Sequence, residues 1–320
     1  MSDPQLHVVV GAGAVGRAVV DELVGRGLPV RVVARHAVVG LPAEVEAVEA
    51  DITDVDAARR ALTGAAVVYH AAAARYDRWP ALLPELMRGV LAGASAARAR
   101  VVYADNLYAY GPVDGPLTED LPARAVGRNG RVRAALAAQV LEAHAAGTVR
   151  ATIGRASDYF GPRGRQSTAG ERLFESVLAG KSAQLLGDPD APHTFTYLPD
   201  FARGLVTLGT RDEALGEIWH LPSAETLSTA DFVRLVFEAA GRPPKISVLP
   251  SPVLSLLALV SPMLRAVREQ QYQRESPWIV DHSKFAAAFG AEVTPHPVAI
   301  RATLDWFTRE AGPRNDPRSA

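Results

Sequence analysis

Short apolar runs and longer amphipathic stretches alternate along the first half of the chain. "LHVVVGAG" (6–13) is continuously apolar, the pattern of a parallel strand buried on both faces. "AVGRAVVDELVGRG" (14–27) follows with helical spacing and stops at Gly27. "PVRVVAR" (29–35) predicts a second strand and "VEAVEADITD" (45–54) contains a third. "DAARRALTGA" (56–65) predicts a helix and "AVVYHAAA" (66–73) a fourth strand. "PELMRGVLAGASAAR" (84–98) is a helix, "RVVYADN" (100–106) a fifth strand, and "RVRAALAAQVLEAHAAG" (131–147) a long helix. A sixth strand and its loop lie in "VRATIGRASDYFGP" (149–162). Strict alternation of strand and helix predicts an α/β fold, a doubly wound parallel sheet.

The rhythm changes after about residue 162. "STAGERLFESVLAGK" (167–181) reads as a helix, and "AQLLGDPDAPHTFTYLPDFARGLVTLG" (183–209) as short strands, a Pro-rich turn and a helix. "STADFVRLVFEAAG" (228–241) is a further helix, followed by "PKISVLP" (244–250). The expected division is a sheet domain over 1–162, which also receives part of 196–222. A smaller C-terminal domain capping the sheet spans 163–312, and 313–320 form a mobile tail. Ligands of such sheets bind at the carboxyl ends of the strands, so the cleft belongs between the two parts.

Composition narrows the function. Of 320 residues, 48% are hydrophobic and 22% charged, with a net charge of −1, which offers no electrostatic case for nucleic acid or an anionic membrane. The apolar stretch "PVLSLLALVSPML" (252–264) is short of the ~20 residues a membrane span needs and contains Pro262, so a pocket, core or interfacial helix is expected there. Cysteine is absent, which excludes thiolate metal sites and a cysteine nucleophile and fits a reducing, cytoplasmic setting. No secretory signal segment is expected at the N-terminus. Only three lysines occur against 31 arginines, so an Arg where another protein has Lys says little about function. No His/Asp/Glu cluster has metal-ligand spacing, and no metal is expected.

Gly11-Ala12-Gly13-Ala14-Val15-Gly16 lies between the first strand and the first helix. In a dinucleotide-binding turn the first Gly makes the turn and the second lets backbone approach a pyrophosphate. The third lets strand and helix pack closely, with the helix N-terminus facing the phosphates. The second strand ends at Arg35. An acidic residue there would hold the ribose 2′-hydroxyl of NAD, whereas Arg35, with Arg17, suits the 2′-phosphate of NADP. NADP is therefore the expected cofactor and NAD the alternative. Asp51 and Ile52 after the third strand are candidates to bracket the adenine. Ala71, Ala72 and Ala73 after the fourth keep side chains small along the cofactor's course. His70 at that strand end reads as a core histidine first and a catalytic one second.

Together with "YADNLYAYG", "LTEDLP", "GRASDYFGP" and "FTYLPDFARGL", these stretches resemble the extended short-chain dehydrogenase/reductase family, the NAD-dependent epimerase/dehydratase group. The resemblance covers nearly the whole chain. It implies a Rossmann-type domain, a smaller substrate domain, and a nucleotide-sugar, steroid-like or other alcohol or carbonyl substrate. It also implies a catalytic Ser or Thr and a Tyr-x-x-x-Lys pair. The matching positions hold Asn106, Asn129 and Arg133, and no Tyr-x-x-x-Lys occurs anywhere in the chain. Asn129 has no titratable proton. Arg133 can keep the positive charge and the nicotinamide-ribose contact but cannot exchange protons. Asn106 can polarise a substrate oxygen through its amide.

Tyr108 is the first candidate for a substitute acid, followed by Tyr159 or Asp158 on the loop after the sixth strand, and then His70. Tyr110 reads as structural. His193, Thr194 and Tyr197 before Asp200, Trp219-His220, and "QQYQRESPWIVD" (270–281) are candidate substrate contacts. Two readings stay open: an NAD(P)-dependent oxidoreductase or epimerase with a non-standard acid/base, and a dinucleotide-binding regulator or scaffold without turnover. Small residues on 84–98 and 131–147 suit close helix packing and are compatible with a homodimer.

Overall fold

The computed structural model describes residues 5–249, 259 and 261–310. The predicted helix over 252–264 therefore falls largely outside the described residues, as does the tail from 313.

Thirteen short strands are described. Those of the first half are β1 (Leu6–Val10), β2 (Val30–Ala34), β3 (Glu46–Glu49), β4 (Ala65–His70), β5 (Arg100–Asn106) and β6 (Arg150–Ala156). Next come β7 (Asp158–Phe160), β8 (Ala183–Leu186), β9 (Pro192–His193), β10 (Phe195–Tyr197), β11 (Ile218–His220), β12 (Leu227–Ser228) and β13 (Ile246–Leu249). Seven of them form one parallel sheet in the order β11-β6-β5-β4-β1-β2-β3. The chain runs outward from β1 to β3, then returns to place β4 beside β1. That reversal opens a crevice at the carboxyl ends of β1 and β4.

The continuous apolar run of β1 is explained by its two buried faces. Val8 and Val10 pack in one core with Met87, Val90 and Leu136, on the side covered by α2 (Val55–Ala61), α3 (Trp79–Ala97) and α4 (Arg128–Ala145). Val9 faces the other core with Val19, Leu23 and Leu205, under α1 (Ala14–Gly25) and α6 (Leu198–Thr210). Thus α6 and β11, although late in the sequence, pack into the sheet layer.

A separate core holds the C-terminal region. Phe174 of α5 (Glu171–Leu178), Phe232 and Phe237 of α7 (Thr229–Ala239), and Ile300, Leu304 and Phe307 of the helix His296–Glu310 meet there, with Phe195 stacked on Phe232 at 4.2 Å. Asp200 ties this region to the sheet: its carboxylate accepts from the Thr294 backbone N–H and hydroxyl, both at 2.8 Å, and from Arg203. Among the described residues, no helix is long and apolar enough to cross a membrane.

Candidate functional site

The Gly-rich turn sits at the crevice. Gly11 has φ +103°, and a Cβ on it would meet Ala72 Cα at 2.6 Å, so the β1 turn lies directly on the Ala71–Ala72 backbone. Gly16 is equally closed, because its Cβ would lie 1.9 Å from the Gly11 carbonyl oxygen. Gly13 differs: no atom lies within 4 Å of its Cβ direction. It is the N-cap of α1, makes no side-chain cap, and precedes a first turn without acidic residues. Ala14 and Val15 open that turn. Open space over an uncapped helix N-terminus is what a pyrophosphate requires.

Arg35 is exposed just beyond β2, and its charge reaches Asp51. Asp51 is held below the usual carboxylate range chiefly by the Thr53 backbone N–H, with Thr53 Oγ1 adding a second bond at 2.8 Å. Ile52 is buried, and its carbonyl packs so tightly on Gly89 of α3 that a side chain there would clash. Arg17 is already engaged: its guanidinium donates to the carbonyls of Val39 and Gly40 at 2.6 and 3.0 Å. It therefore pins the loop after β2, while Arg35 makes no hydrogen bond or ion pair among the described residues.

The candidate catalytic residues Asn106, Asn129 and Arg133 gather at the end of β5 and the start of α4. Asn106 accepts the Tyr108 backbone N–H on its Oδ1 at 3.1 Å, an Asx turn that leaves the amide N–H2 as its donor end. Asn129 is 2% exposed, and its Nδ2 donates to the Tyr76 carbonyl at 3.0 Å. Gly130 follows because a Cβ there would lie 2.7 Å from the Tyr108 carbonyl oxygen. Arg133 is buried with its guanidinium 4.3 Å from the Trp79 ring centroid. It donates to the Tyr103 hydroxyl at 2.7 Å and approaches Asp105 at 3.4 Å, and its Nε has no hydrogen-bond partner among the described residues.

Two buried ionic clusters flank this frame. Asp105 lies between Arg133 and Arg155, whose Nε donates to it at 3.0 Å. Arg155 stacks on Tyr110, and the Tyr110 hydroxyl bonds His220 Nε2 at 2.7 Å. Tyr110 is thus a structural link, as expected. In the second cluster, burial raises the Asp158 carboxyl, but His193, Arg274 and Thr168 outweigh it and hold it at about 2. His193 Nε2 lies 3.4 Å from Asp158, while its Nδ1 donates to the Gln273 carbonyl at 3.1 Å. Arg274 donates to Thr168 at 2.7 Å. The aromatic-polar stretch 270–281 is therefore brought to the cleft, with Glu269 capping α4 through the Arg128 N–H at 2.7 Å.

The candidate acids separate by environment. Burial, then Arg133, pushes His70 down to about 3; it stacks on Tyr103 as a neutral core histidine. Tyr108 is raised well above the usual phenol range by burial, with Tyr76 and Asp158 adding to the effect. Burial and Asp158 also raise Tyr159, against Arg133. Thr194 accepts the Val280 N–H at 3.0 Å, Trp219 donates to the Ala214 carbonyl, and Tyr197 packs on Phe160, so these three serve the fold. Tyr76 and Trp79 have no place in the sequence reading, and Asp105 and Arg155 stand there only inside quoted stretches with no role, because each acquires its neighbours only when distant segments meet. Among the described residues, no group of three or more His, Asp or Glu is placed to hold a metal.

This geometry agrees with what the chain is similar to. A Streptomyces griseus dTDP-glucose 4,6-dehydratase is 28% identical over 133 residues, 41% of this chain and 40% of that protein. An uncharacterized UDP-glucose epimerase of Bacillus subtilis is 30% identical over 83 residues, 26% of each chain. The chain thus aligns with less than half the length of either relative. Among solved structures, a Bacillus cereus UDP-glucuronic acid 4-epimerase in complex with UDP-glucuronic acid and NAD superposes with a TM-score of 0.77 at 19% identity, covering 96% of this chain and all of that one. A Thermus thermophilus UDP-glucose 4-epimerase in complex with NAD gives 0.75 at 22% identity, covering 95% and 99%. The profile of the NAD dependent epimerase/dehydratase family matches residues 7–221. With its glycine turn, seven-stranded sheet and crevice in place across that span, the chain belongs to the NAD dependent epimerase/dehydratase family.

Proposed function

We propose that this chain binds NADP, with NAD the alternative, and carries out epimerase- or dehydratase-type chemistry on a sugar nucleotide, using an acid/base other than the family's tyrosine. The observation that carries the reading is the open space at Gly13 over the uncapped N-terminus of α1. When bound, the dinucleotide supplies or accepts a hydride at its nicotinamide ring. Gly11, Gly13, Ala14, Val15 and Gly16 would hold its pyrophosphate, Asp51 and Ile52 its adenosine end, and Ala71, Ala72 and Ala73 its course past β4. Arg35, solvent-facing and unpaired, would meet the 2′-phosphate. Arg133 would hold the nicotinamide ribose through its unpartnered Nε. Asn106 would polarise the substrate oxygen with its amide N–H2.

The division of labour follows the fold. Residues 1–162, with α6 and β11, would carry the cofactor, and 163–312 the substrate. We expect a cytoplasmic protein, consistent with the absence of cysteine, and a homodimer through α3 and α4.

Isothermal titration with NAD, NADH, NADP and NADPH tests the cofactor. Nicotinamide fluorescence with UDP-glucose, UDP-glucuronic acid and dTDP-glucose as probes then tests hydride transfer. Binding of no dinucleotide sinks the proposal. Dinucleotide binding without transfer to any probe selects the second reading, a regulator, which the untitratable Asn129 favours.

A further inference from the structure

We propose, on the reading that this chain handles a dinucleotide, that Tyr76 is the proton-transfer residue in place of the phenol absent from position 129. Tyr76 lies on the single 3-10 turn Tyr76–Arg78 between β4 and α3, 53 residues before Asn129. Asn129 Nδ2 grips the Tyr76 backbone carbonyl at 3.0 Å, and its side-chain amide also faces the Tyr76 phenol. Trp79 closes the turn by donating its indole N–H to the Ala74 carbonyl at 3.0 Å. The Tyr76 ring meets Trp79 edge-on at 4.7 Å and Tyr108 edge-on at 6.3 Å. A half-buried phenol is thereby delivered to the first turn of α4, beside Asn129 and Tyr108, from a different segment of the chain.

The other candidates fail on their surroundings. Asp158 is ionised and has no proton to give at neutral pH, and His70 is neutral beneath Arg133. The Tyr76–Tyr108 pair is asymmetric. Burial raises both phenols, but at Tyr76 the Tyr108 hydroxyl, the Asn129 amide and the Arg274 cation oppose the rise, against Asp158. At Tyr108 the Tyr76 hydroxyl and Asp158 add to it, with Arg274 opposing. Tyr272, itself raised to about 12, also faces Tyr76. Negative charge is thus better tolerated on Tyr76, with Tyr108 donating to it.

In the reductive direction, hydride from the reduced dinucleotide forms the new C–H bond at the substrate carbonyl carbon. The C=O π pair moves to oxygen, and that oxygen takes the Tyr76 hydroxyl proton. The O–H bond breaks and its electron pair remains as phenolate, stabilised by Tyr108 and Asn129 until solvent returns the proton. In the oxidative direction the Tyr76 phenol first gives its proton to solvent, and the phenolate then takes the substrate hydroxyl proton as the C–H bond breaks and its hydride passes to the oxidised dinucleotide.

Tyr76→Phe and Tyr108→Phe test this, since both keep their rings. Single-turnover hydride transfer is followed by nicotinamide fluorescence with UDP-glucuronic acid, UDP-glucose or dTDP-glucose. Tyr76→Phe is expected to lose about 100-fold or more, and Tyr108→Phe about tenfold, with dinucleotide affinity unchanged within about twofold. A wild-type protein that transfers hydride while Tyr76→Phe keeps most of the rate overturns the assignment and leaves the cofactor reading standing. A wild-type protein that binds dinucleotide but transfers to no probe overturns the assignment and selects the regulator, and one that binds no dinucleotide overturns both. In a second readout, tyrosines labelled with 13C at Cζ are titrated by NMR without dinucleotide. Tyr76 is expected to ionise before Tyr108, and Tyr108→Phe to raise the Tyr76 midpoint. Tyr108 ionising first overturns the assignment.

Discussion

Asn129 and Tyr76, 53 residues apart in sequence, are joined by a 3.0 Å hydrogen bond from the Asn129 amide to the Tyr76 carbonyl. The side chain that the family resemblance matches to the catalytic acid is here a clamp on another segment. With Asn129 buried, that bond satisfies a polar group that would otherwise cost about 1–3 kcal/mol. Asn129→Leu is expected to destabilise the fold by about that amount and to loosen the turn carrying Tyr76. Denaturant unfolding checks the first effect. The Tyr76 NMR line width checks the second, and an unchanged turn would argue against the clamp.

The glycines of the first turn make two different predictions. Gly13 has open space where its side chain would go, so Gly13→Val should fold with its melting temperature nearly unchanged yet weaken dinucleotide binding at least tenfold, about 1.4 kcal/mol. Gly16→Ala forces a Cβ to 1.9 Å from a carbonyl oxygen and should destabilise by about 1–3 kcal/mol. Paired calorimetry of the two variants measures both quantities. Equal effects on folding would count against the assignment of Gly13 to a ligand.

On the proposed NADP reading, Arg35 sets the cofactor preference. Arg35→Ala should lower NADP affinity by about 10- to 100-fold, or about 1.4–2.8 kcal/mol, while NAD affinity changes little. Because the guanidinium is exposed, the effect should shrink as salt is raised. Parallel losses for both dinucleotides would show that Arg35 does not read the 2′-position.

Asp105 is fully buried and answers two arginines. Asp105→Asn leaves Arg133 and Arg155 without their counter-charge inside the protein. Breaking a buried pair from one side costs about 3–5 kcal/mol. Chemical denaturation should register that loss even if the variant still binds dinucleotide. A loss under about 1 kcal/mol would mean that Tyr103 and Tyr110 suffice to hold the arginines.

Acid sensitivity has a definite sign. His70 and His220 are pushed down by burial, to about 3 and about 4, from the ordinary 6.5. Between those values and 6.5 the unfolded chain binds protons that the folded chain refuses. Stability is therefore complete above about pH 6.5 and falls as pH drops toward 4. Asp158, depressed to about 2 from 3.8, adds a further loss as pH falls from about 4 toward 2. His70→Phe keeps the stack on Tyr103 and removes one titrating group, so the slope of stability against pH between 6 and 4 should fall by up to about 1.4 kcal/mol per pH unit. Urea midpoints across that range measure it.

The sequence alone determined the sheet and the glycine-rich turn, because both rest on local physics. A strand buried on two faces must be apolar throughout, as residues 6–10 are, and a turn packed backbone against backbone must have glycine there, as at Gly11 and Gly16. Strand position pointed to His70 as a core residue, and the family resemblance marked the missing Tyr-x-x-x-Lys and a structural Tyr110. The tertiary structure decided which groups took over that space. Asn129 found Tyr76, Asp105 found both Arg133 and Arg155, Asp158 found His193 and Arg274, and Arg17 turned to the Val39 and Gly40 carbonyls. Each of those contacts joins segments that no periodicity connects. A buried polar group must be satisfied by whatever the fold brings within about 3 Å, and only closing the chain determines what that is.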